Sequence, residues 1–388
     1  MTADRPLLSA AIIVKDEAEH LRRCLASLRG LCDRIVVVDT GSTDDTVAVA
    51  QAHEATVLHR PWDGDFSAAR NTGLDAIDAD WVLYVDADEE VRDTDVEAVR
   101  ATLATDSDVV GYLVGFAAHV GFTPYREHRI WRNRADVRFK GKIHETVVPD
   151  LRRIVRDEGM KLEPIDLFVQ HYGYEGDQTI KHERNLPMLL QQVEVWPERV
   201  YLWNHLGRVY DGLGRPDDAE AAWMRGIEVV RAQGLREGVD ILVYGSMAMF
   251  LLRESRDATV IIDEGLALDD DHWTLLVAKG RQLMADKQWE AAMVPLLRVI
   301  NEGRQQGEHP VLAYSRSMIE QWPWEMVADC RFELGRYMDA ADAYERAAAA
   351  GADELEMRSK AAACRTLATV EPRDPAAGGT AGDDSDEQ

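Results

Sequence analysis

Asp86 and Asp88 stand two residues apart with Ala87 between them, directly after the apolar run Trp81-Val82-Leu83-Tyr84-Val85. In an extended or turning backbone both carboxylates can face one point and grip a hard divalent cation. Oxygen donors of this kind suit Mn2+ or Mg2+, ions that commonly travel with phosphate. Glu89 and Glu90 follow, so four carboxylates fall within five positions. An isolated pair of this spacing is more often a solvated loop, and the residues upstream decide the matter.

Those residues read as the elements needed to position a site. Five large apolar residues without alternation fit a strand buried on both faces. Ala10-Ala11-Ile12-Ile13-Val14 reads as an earlier strand, and Lys15-Asp16-Glu17 turns it into a helix with the stripe Leu21, Cys24, Leu25 and Leu28. Ile35-Val36-Val37-Val38 ends on Asp39, and Thr40-Gly41-Ser42-Thr43-Asp44-Asp45 is a flexible turn with caps for the next helix. Thr56-Val57-Leu58 makes a third strand, and a helix opening near Ser67 carries Arg70 and Asn71. Strands alternating with helices imply a sheet whose ligands bind beyond the carboxyl ends of its strands. Asp16, Glu17, Asp39, Asp86 and Asp88 then share one rim. Asp39 could instead merely cap its turn, and Asp16 could simply begin its helix. A dinucleotide fold is excluded because the first strand-to-helix turn has no glycine, and no G-x-x-x-x-G-K-[ST] occurs anywhere.

Four segments in this order resemble the family 2 glycosyltransferases: Ile12-Ile13-Val14-Lys15-Asp16-Glu17, Val36-Val37-Val38-Asp39-Thr40-Gly41-Ser42-Thr43-Asp44, Asp65-Phe66-Ser67-Ala68-Ala69-Arg70-Asn71, and Trp81-Val82-Leu83-Tyr84-Val85-Asp86-Ala87-Asp88-Glu89. The resemblance implies an α/β GT-A fold, a Rossmann-like mixed and mainly parallel sheet. It implies a nucleotide-sugar site drawing on Val14, Asp16, Glu17, Asp39, Gly41, Arg70, Asp86, Ala87 and Asp88. Asp39 would contact the uracil or ribose of a UDP-sugar, Asp86 and Asp88 the ribose and the metal, and Arg70 the phosphates or sugar. Asp16 departs from the asparagine that many relatives carry.

Val109-Val110-Gly111-Tyr112-Leu113-Val114-Gly115-Phe116 is a further strand. It precedes a basic island of Arg126, Arg129, Arg132, Arg134, Arg138, Lys140 and Lys142. Such a run protects the edge of a hairpin or neutralises a leaving diphosphate or an anionic acceptor. Gly141-Lys142-Ile143-His144-Glu145 and Val169-Gln170-His171-Tyr172-Gly173-Tyr174 resemble the family branch that carries a helical tail. An inverting transfer needs a base to take the acceptor's proton. By resemblance Glu145 is the first candidate and His144 the second, while His171 joins Asp88 at the metal or touches the diphosphate.

After Gly176 strand signals stop. Trp203-Asn204-His205-Leu206-Gly207-Arg208-Val209-Tyr210 fits a tetratricopeptide start. Trp203, Leu213-Gly214-Arg215, Ala219 and Trp223 recur 121 residues later as Trp324, Leu334-Gly335-Arg336, Ala340 and Tyr344. Trp273, Trp289 and Ala292 suggest a degenerate unit between, and residues 244–265 another. Stacked helix pairs leave a concave face for a partner or for self-association. Residues 1–178 are thus expected to form the GT-A domain, 179–370 a tetratricopeptide-like array, and 371–388 a disordered acidic tail.

Composition narrows the partners. A net charge of −26 argues against nucleic acid, and with no run of 18 apolar residues the chain is expected to be cytoplasmic. Cys24, Cys32, Cys330 and Cys364 lack metal-ligand spacing and read as buried thiols. The expected function is metal-dependent, inverting transfer of a sugar from a nucleotide-diphosphate donor, with Mn2+ or Mg2+ as cofactor. The acceptor would be a peptide, a protein or a small metabolite. The rival classes are a nucleotide-sugar nucleotidyltransferase and a non-catalytic repeat scaffold with an inactive transferase-like domain.

Overall fold

The computed structural model describes residues 5–105, 107–118, 121–172, 179–303 and 311–370. Gly173, Tyr174, Gly176 and the acidic stretch 371–388 lie outside the described residues. Among the described residues eight strands are interspersed with helices: β1 Leu8–Val14, α1 Ala18–Ser27, β2 Arg34–Asp39, α2 Thr46–Ala52, β3 Thr56–His59, α3 Phe66–Asp75, β4 Trp81–Tyr84, β5 Glu89–Arg92, α4 Val96–Thr105, β6 Val109–Ala117, β7 Tyr125–Arg132, α5 Val148–Glu158 and β8 Lys161–His171. They form one sheet in the order β3-β2-β1-β4-β7-β6-β8-β5. The first four strands run parallel, β7 is antiparallel to both β4 and β6, and β5 is antiparallel to β8.

Two-sided burial explains why the early strands read as unbroken apolar runs. Leu8, Ala10, Ile12 and Val14 of β1, with Trp81 and Leu83 of β4, pack on one face against Leu21, Cys24, Leu25 and Leu28. Ala11, Val36 and Val82 turn to the other face, against Leu74 and Ile77 at the end of α3. Both faces are covered, so no polar alternation is needed.

Parallel strands put the ends of β1, β2 and β4 on one edge. The first three cations of the basic island, Arg126, Arg129 and Arg132, lie on β7, which is inside the sheet between β4 and β6 and not at an exposed edge. The island's cations are largely matched internally: Arg134 with Asp136 and Glu158, Arg138 with Asp75, and Lys140 with Asp150.

An all-helical region follows: α6 Thr179–Val195, α7 Val200–Gly212, α8 Pro216–Gln233, α9 Leu242–Arg253, α10 Thr259–Leu268, α11 Trp273–Ala285, α12 Trp289–Glu302, α13 Trp322–Glu333, α14 Tyr337–Ala349 and α15 Glu354–Val370. The sequence offset reappears as matched helix pairs, α7/α8 and α13/α14. Each pair turns on a left-handed glycine, Gly214 at φ +69° and Gly335 at φ +70°. The described residues fall into two compact units, one within Met1–Leu275 and Gln306–Ser315 and the other within Leu276–Gln305 and Arg316–Gln388. In the second, Ala328, Ala340, Ala343, Tyr344 and Cys364 share a core of small and aromatic side chains. Among the described residues no helix is long and apolar enough to cross a membrane.

Gly207 shows what the repeat pattern encodes. A Cβ there would enter the indole of Trp223, so the glycine lets α7 and α8 approach. Gly207→Ala overpacks this contact and is expected to cost about 1–3 kcal/mol, read as a lower melting temperature. An unchanged melting temperature would show that the two helices can separate freely.

Candidate active site

The site is assembled on the edge where the parallel strands end. Asp39 closes β2 and is buried. Its carboxylate accepts from the backbone N–H of Ser42 at 3.0 Å and of Gly41 at 3.3 Å, and lies 3.3 Å from Nδ1 of His59. Burial pushes this carboxyl up, but the bonds from Ser42, His59 and Gly41 outweigh it and hold Asp39 below its ordinary value. A cleft of about 420 Å³ opens beside it, lined by Lys15, Asp39, Gly41, His59, Arg60 and Trp62 among others. Gly41 sits at φ +112°, a backbone conformation that favours glycine.

Val14, Asp16 and Glu17 build the turns behind this cleft. The carbonyl of Val14 accepts from Thr40 N–H at 2.9 Å and from Thr40 Oγ1 at 3.1 Å. Asp16 occupies a left-handed conformation at φ +53°, where Asp and Asn are the residues best tolerated. Its Oδ1 accepts from Thr43 N–H at 2.6 Å, and its own N–H donates to Ser42 at 2.9 Å, tying the β1 turn to the β2 turn. Glu17 is paired with His20 at 2.7 Å.

With β1 between them, Asp86 follows β4 on the same rim. Arg70, buried on α3, reaches Asp86 Oδ1 at 2.8 Å and also bonds Glu145. Its guanidinium lies 4.2 Å over the Tyr84 ring. Helix α3 is fixed by Asp65, whose carboxylate caps it by accepting from Ala68 N–H at 2.9 Å. Burial would raise the Asp86 carboxyl, but Arg70, Arg129 and His171 reverse the effect and hold it low. Ala87 is packed in the core, so the chain turns about it and presents Asp88 separately. Asp88 Oδ2 lies 3.1 Å from Nε2 of His171, the last residue of β8.

His144 does not join this group. Its ring lies 3.9 Å from that of His205 and 5.3 Å from that of Tyr201, both on α7. Burial and the nearby Arg199 and Arg208 push it down to about 3. The structure therefore brings Arg70, Asp86 and Glu145 together and turns the neighbouring histidine away.

Asp88 and His171 suit a divalent ion. His171 Nδ1 lies 3.2 Å from the Ala118 carbonyl, to which it can donate, leaving Nε2 to face Asp88. The two offer an oxygen and a nitrogen to one point, a donor set compatible with Mn2+ or Mg2+. No cluster of three or more His, Cys, Asp or Glu is arranged for a metal among the described residues. Phosphate oxygens and water would complete the coordination.

Glu89 and Arg129 are the site residues that spacing alone did not reveal. Both are buried, with Arg129 meeting Glu89 at 2.9 and 3.0 Å and lying between the rings of Tyr84 and Phe116. Glu89 Oε2 also accepts from the N–H of Asp86 at 2.8 Å, so the pair braces the turn that carries Asp86 and Asp88. Burial pushes the Glu89 carboxyl up to about 7 against the pull of Arg129. Arg129→Met removes the partner of that carboxylate and is expected to cost up to about 3–5 kcal/mol once the carboxyl is ionised in the wild type. Arg129 pulls the folded value down, so without it the value should lie higher still, and the loss relative to wild type should be smaller at low pH and grow as pH rises past about 7. Denaturant titrations of the variant at pH 5 and 7.5 check this, and equal losses at both would exclude Glu89 as the cause.

Residues 9–157 match the family model Glycosyl transferase family 2. A TPR repeat-containing protein of Synechococcus elongatus is 35% identical over 241 residues, 60% of this chain and 57% of that protein. The SPbeta prophage-derived glycosyltransferase SunS of Bacillus subtilis is 26% identical over 228 residues, 56% of this chain and 52% of that protein. This chain thus covers little more than half the length of either relative. A crystal structure of glucosyl-3-phosphoglycerate synthase from Mycobacterium tuberculosis, with Mn2+ and UDP-glucose, aligns at a TM-score of 0.37 and 16% identity. That alignment covers 48% of this chain and 78% of the other. Residues 9–157 thus carry a family 2 glycosyltransferase domain, built on the mixed α/β sheet described above. A tetratricopeptide-like helical array continues it.

Proposed function

We propose that the chain is a metal-dependent, inverting glycosyltransferase that moves a sugar from a UDP-linked donor to an acceptor hydroxyl or thiol. One observation carries the reading: Arg70 joins Glu145 to Asp86, two residues before the Asp88–His171 pair. The uridine would occupy the cleft beside Asp39 and Gly41, whose volume suits a ligand of that size. Arg70 and Asp86 would orient the sugar and ribose, and Asp88 with His171 would hold Mn2+ or Mg2+. The ion supplies positive charge for the departing diphosphate. Glu145 has one oxygen on Arg70, and the other would take the acceptor's proton as the nucleophile attacks the anomeric carbon.

On this reading residues 1–178 would bind the nucleotide-sugar, and the array at 179–370 would present a peptide, protein or small-metabolite acceptor. The family match over residues 9–157 favours this reading over a nucleotidyltransferase. Isothermal titration of UDP with and without Mn2+, followed by mass spectrometry of a nucleotide-sugar panel, tests it. UDP should bind more tightly with Mn2+, and at least one UDP-sugar should be hydrolysed. Indifference to UDP in the presence of Mn2+ would defeat the proposal, and release of pyrophosphate would point to nucleotidyl transfer.

A further inference from the structure

The loop that delivers Glu145 is held from two sides. On one side stands α3, which also carries Arg70: the side-chain amide of Asn71 donates to the Phe139 carbonyl and accepts from its N–H, both at 3.0 Å. The N–H of Phe66 donates to the Lys142 carbonyl at 2.9 Å. On the other side stands α6, the first helix after the sheet. Gln192 is buried there, accepting from Ile143 N–H at 3.0 Å and donating to the Ile143 carbonyl at 2.6 Å.

A side chain that bonds both the N–H and the C=O of one residue fixes that peptide in position and in rotation. We propose that Gln192 is a positioning residue for sugar transfer: its amide clamps the backbone at Ile143 and so sets where Glu145 presents its carboxylate. The inference rests on the transferase reading above.

Two neighbouring features fit a clamp rather than incidental packing. Gly141 sits at φ +105°, and a Cβ there would lie 2.7 Å from Gln192 Nε2 and 3.1 Å from the Trp196 ring, so the loop meets α6 at a glycine. His144 then takes a left-handed conformation at φ +50°, which turns the chain sharply between the clamped residue and Glu145. A backbone bent there needs an anchor on its near side. Ile143 itself is buried in the cluster formed by Met188, Leu189, Leu202 and Leu206 of α6 and α7. The helical region therefore supplies part of the frame for the reaction centre.

The test uses the full chain with Mn2+ and the UDP-sugar panel, with donor hydrolysis as the readout, so that no acceptor need be known. Gln192→Ala should slow hydrolysis by about 10- to 100-fold, the range expected when a reacting group is displaced by an ångström or so. Affinity for UDP should stay within about twofold, since the clamp touches no donor residue. Sodium azide should restore donor consumption. Azide attacks the anomeric carbon as an anion, the bond to UDP breaks with its electron pair leaving on UDP, and no proton has to be removed. Gly141→Ala pushes on the same amide from the other side and should give the same pattern. Hydrolysis at the wild-type rate in Gln192→Ala, loss of UDP affinity alongside turnover in both variants, or no response to azide would each overturn the clamp. A wild-type chain that neither binds UDP nor consumes any donor would overturn the transferase reading, and the clamp's role with it.

Discussion

Asp88→Asn should lower donor hydrolysis by about 1,000-fold while leaving the protein folded. The size follows from the several kcal/mol that a metal lends to a departing diphosphate, at a factor of ten in rate for each 1.4 kcal/mol. The selectivity follows from where the side chain sits. Asp88 is partly exposed, and its neighbours in the turn are held by other groups: Asp86 by Glu89 and Arg70, Tyr172 by the Asp88 backbone carbonyl. Asparagine keeps the shape and an oxygen for His171 Nε2, so melting should shift by no more than about 1 kcal/mol. What it removes is the negative charge that would attract Mn2+. Titration of UDP should then show no gain from Mn2+, whereas wild type should show one. A variant that still gains affinity for UDP from Mn2+ would place the ion elsewhere.

The parts of the fold visible in the sequence are those encoded by near neighbours. Unbroken apolar runs at residues 81–85 and 35–38 announce strands buried on both faces, and the core on each side of the sheet explains why. The recurrence of Trp203, Leu213-Gly214-Arg215 and Ala219 survives as two helix pairs with the same left-handed turn. The rim holding Asp39, Asp86 and Asp88 follows from parallel strands alone. Long-range pairing left no such trace. Glu89 reads as one more acid after a strand, and only the antiparallel return of β7 brings Arg129 against it. Arg129 in turn is indistinguishable in sequence from the surface arginines of its island. Gln192 meets Ile143 across 49 positions of unrelated pattern. Arg70 and Asn71 are legible as neighbours on one helix, whereas their partners Glu145 and Phe139 lie far along the chain.

Glu145→Gln should lower turnover by about 100- to 10,000-fold, the range for loss of a positioned general base. Glutamine is nearly isosteric, and its amide oxygen can still accept from Arg70, so the guanidinium keeps its place against Asp86. The donor side is thereby preserved, and UDP affinity in the presence of Mn2+ should stay within about twofold. Azide should restore donor consumption here, as expected for the loop variants, because the step that is lost is proton removal. The neighbouring histidine is a poor substitute, because its ring faces α7, 3.9 Å from that of His205, and stands apart from Arg70 and Asp86. His144→Ala should therefore retain far more turnover than Glu145→Gln. If Glu145→Gln turned over normally the base would lie elsewhere, and if UDP affinity collapsed with turnover Glu145 would be a donor-binding residue held by Arg70.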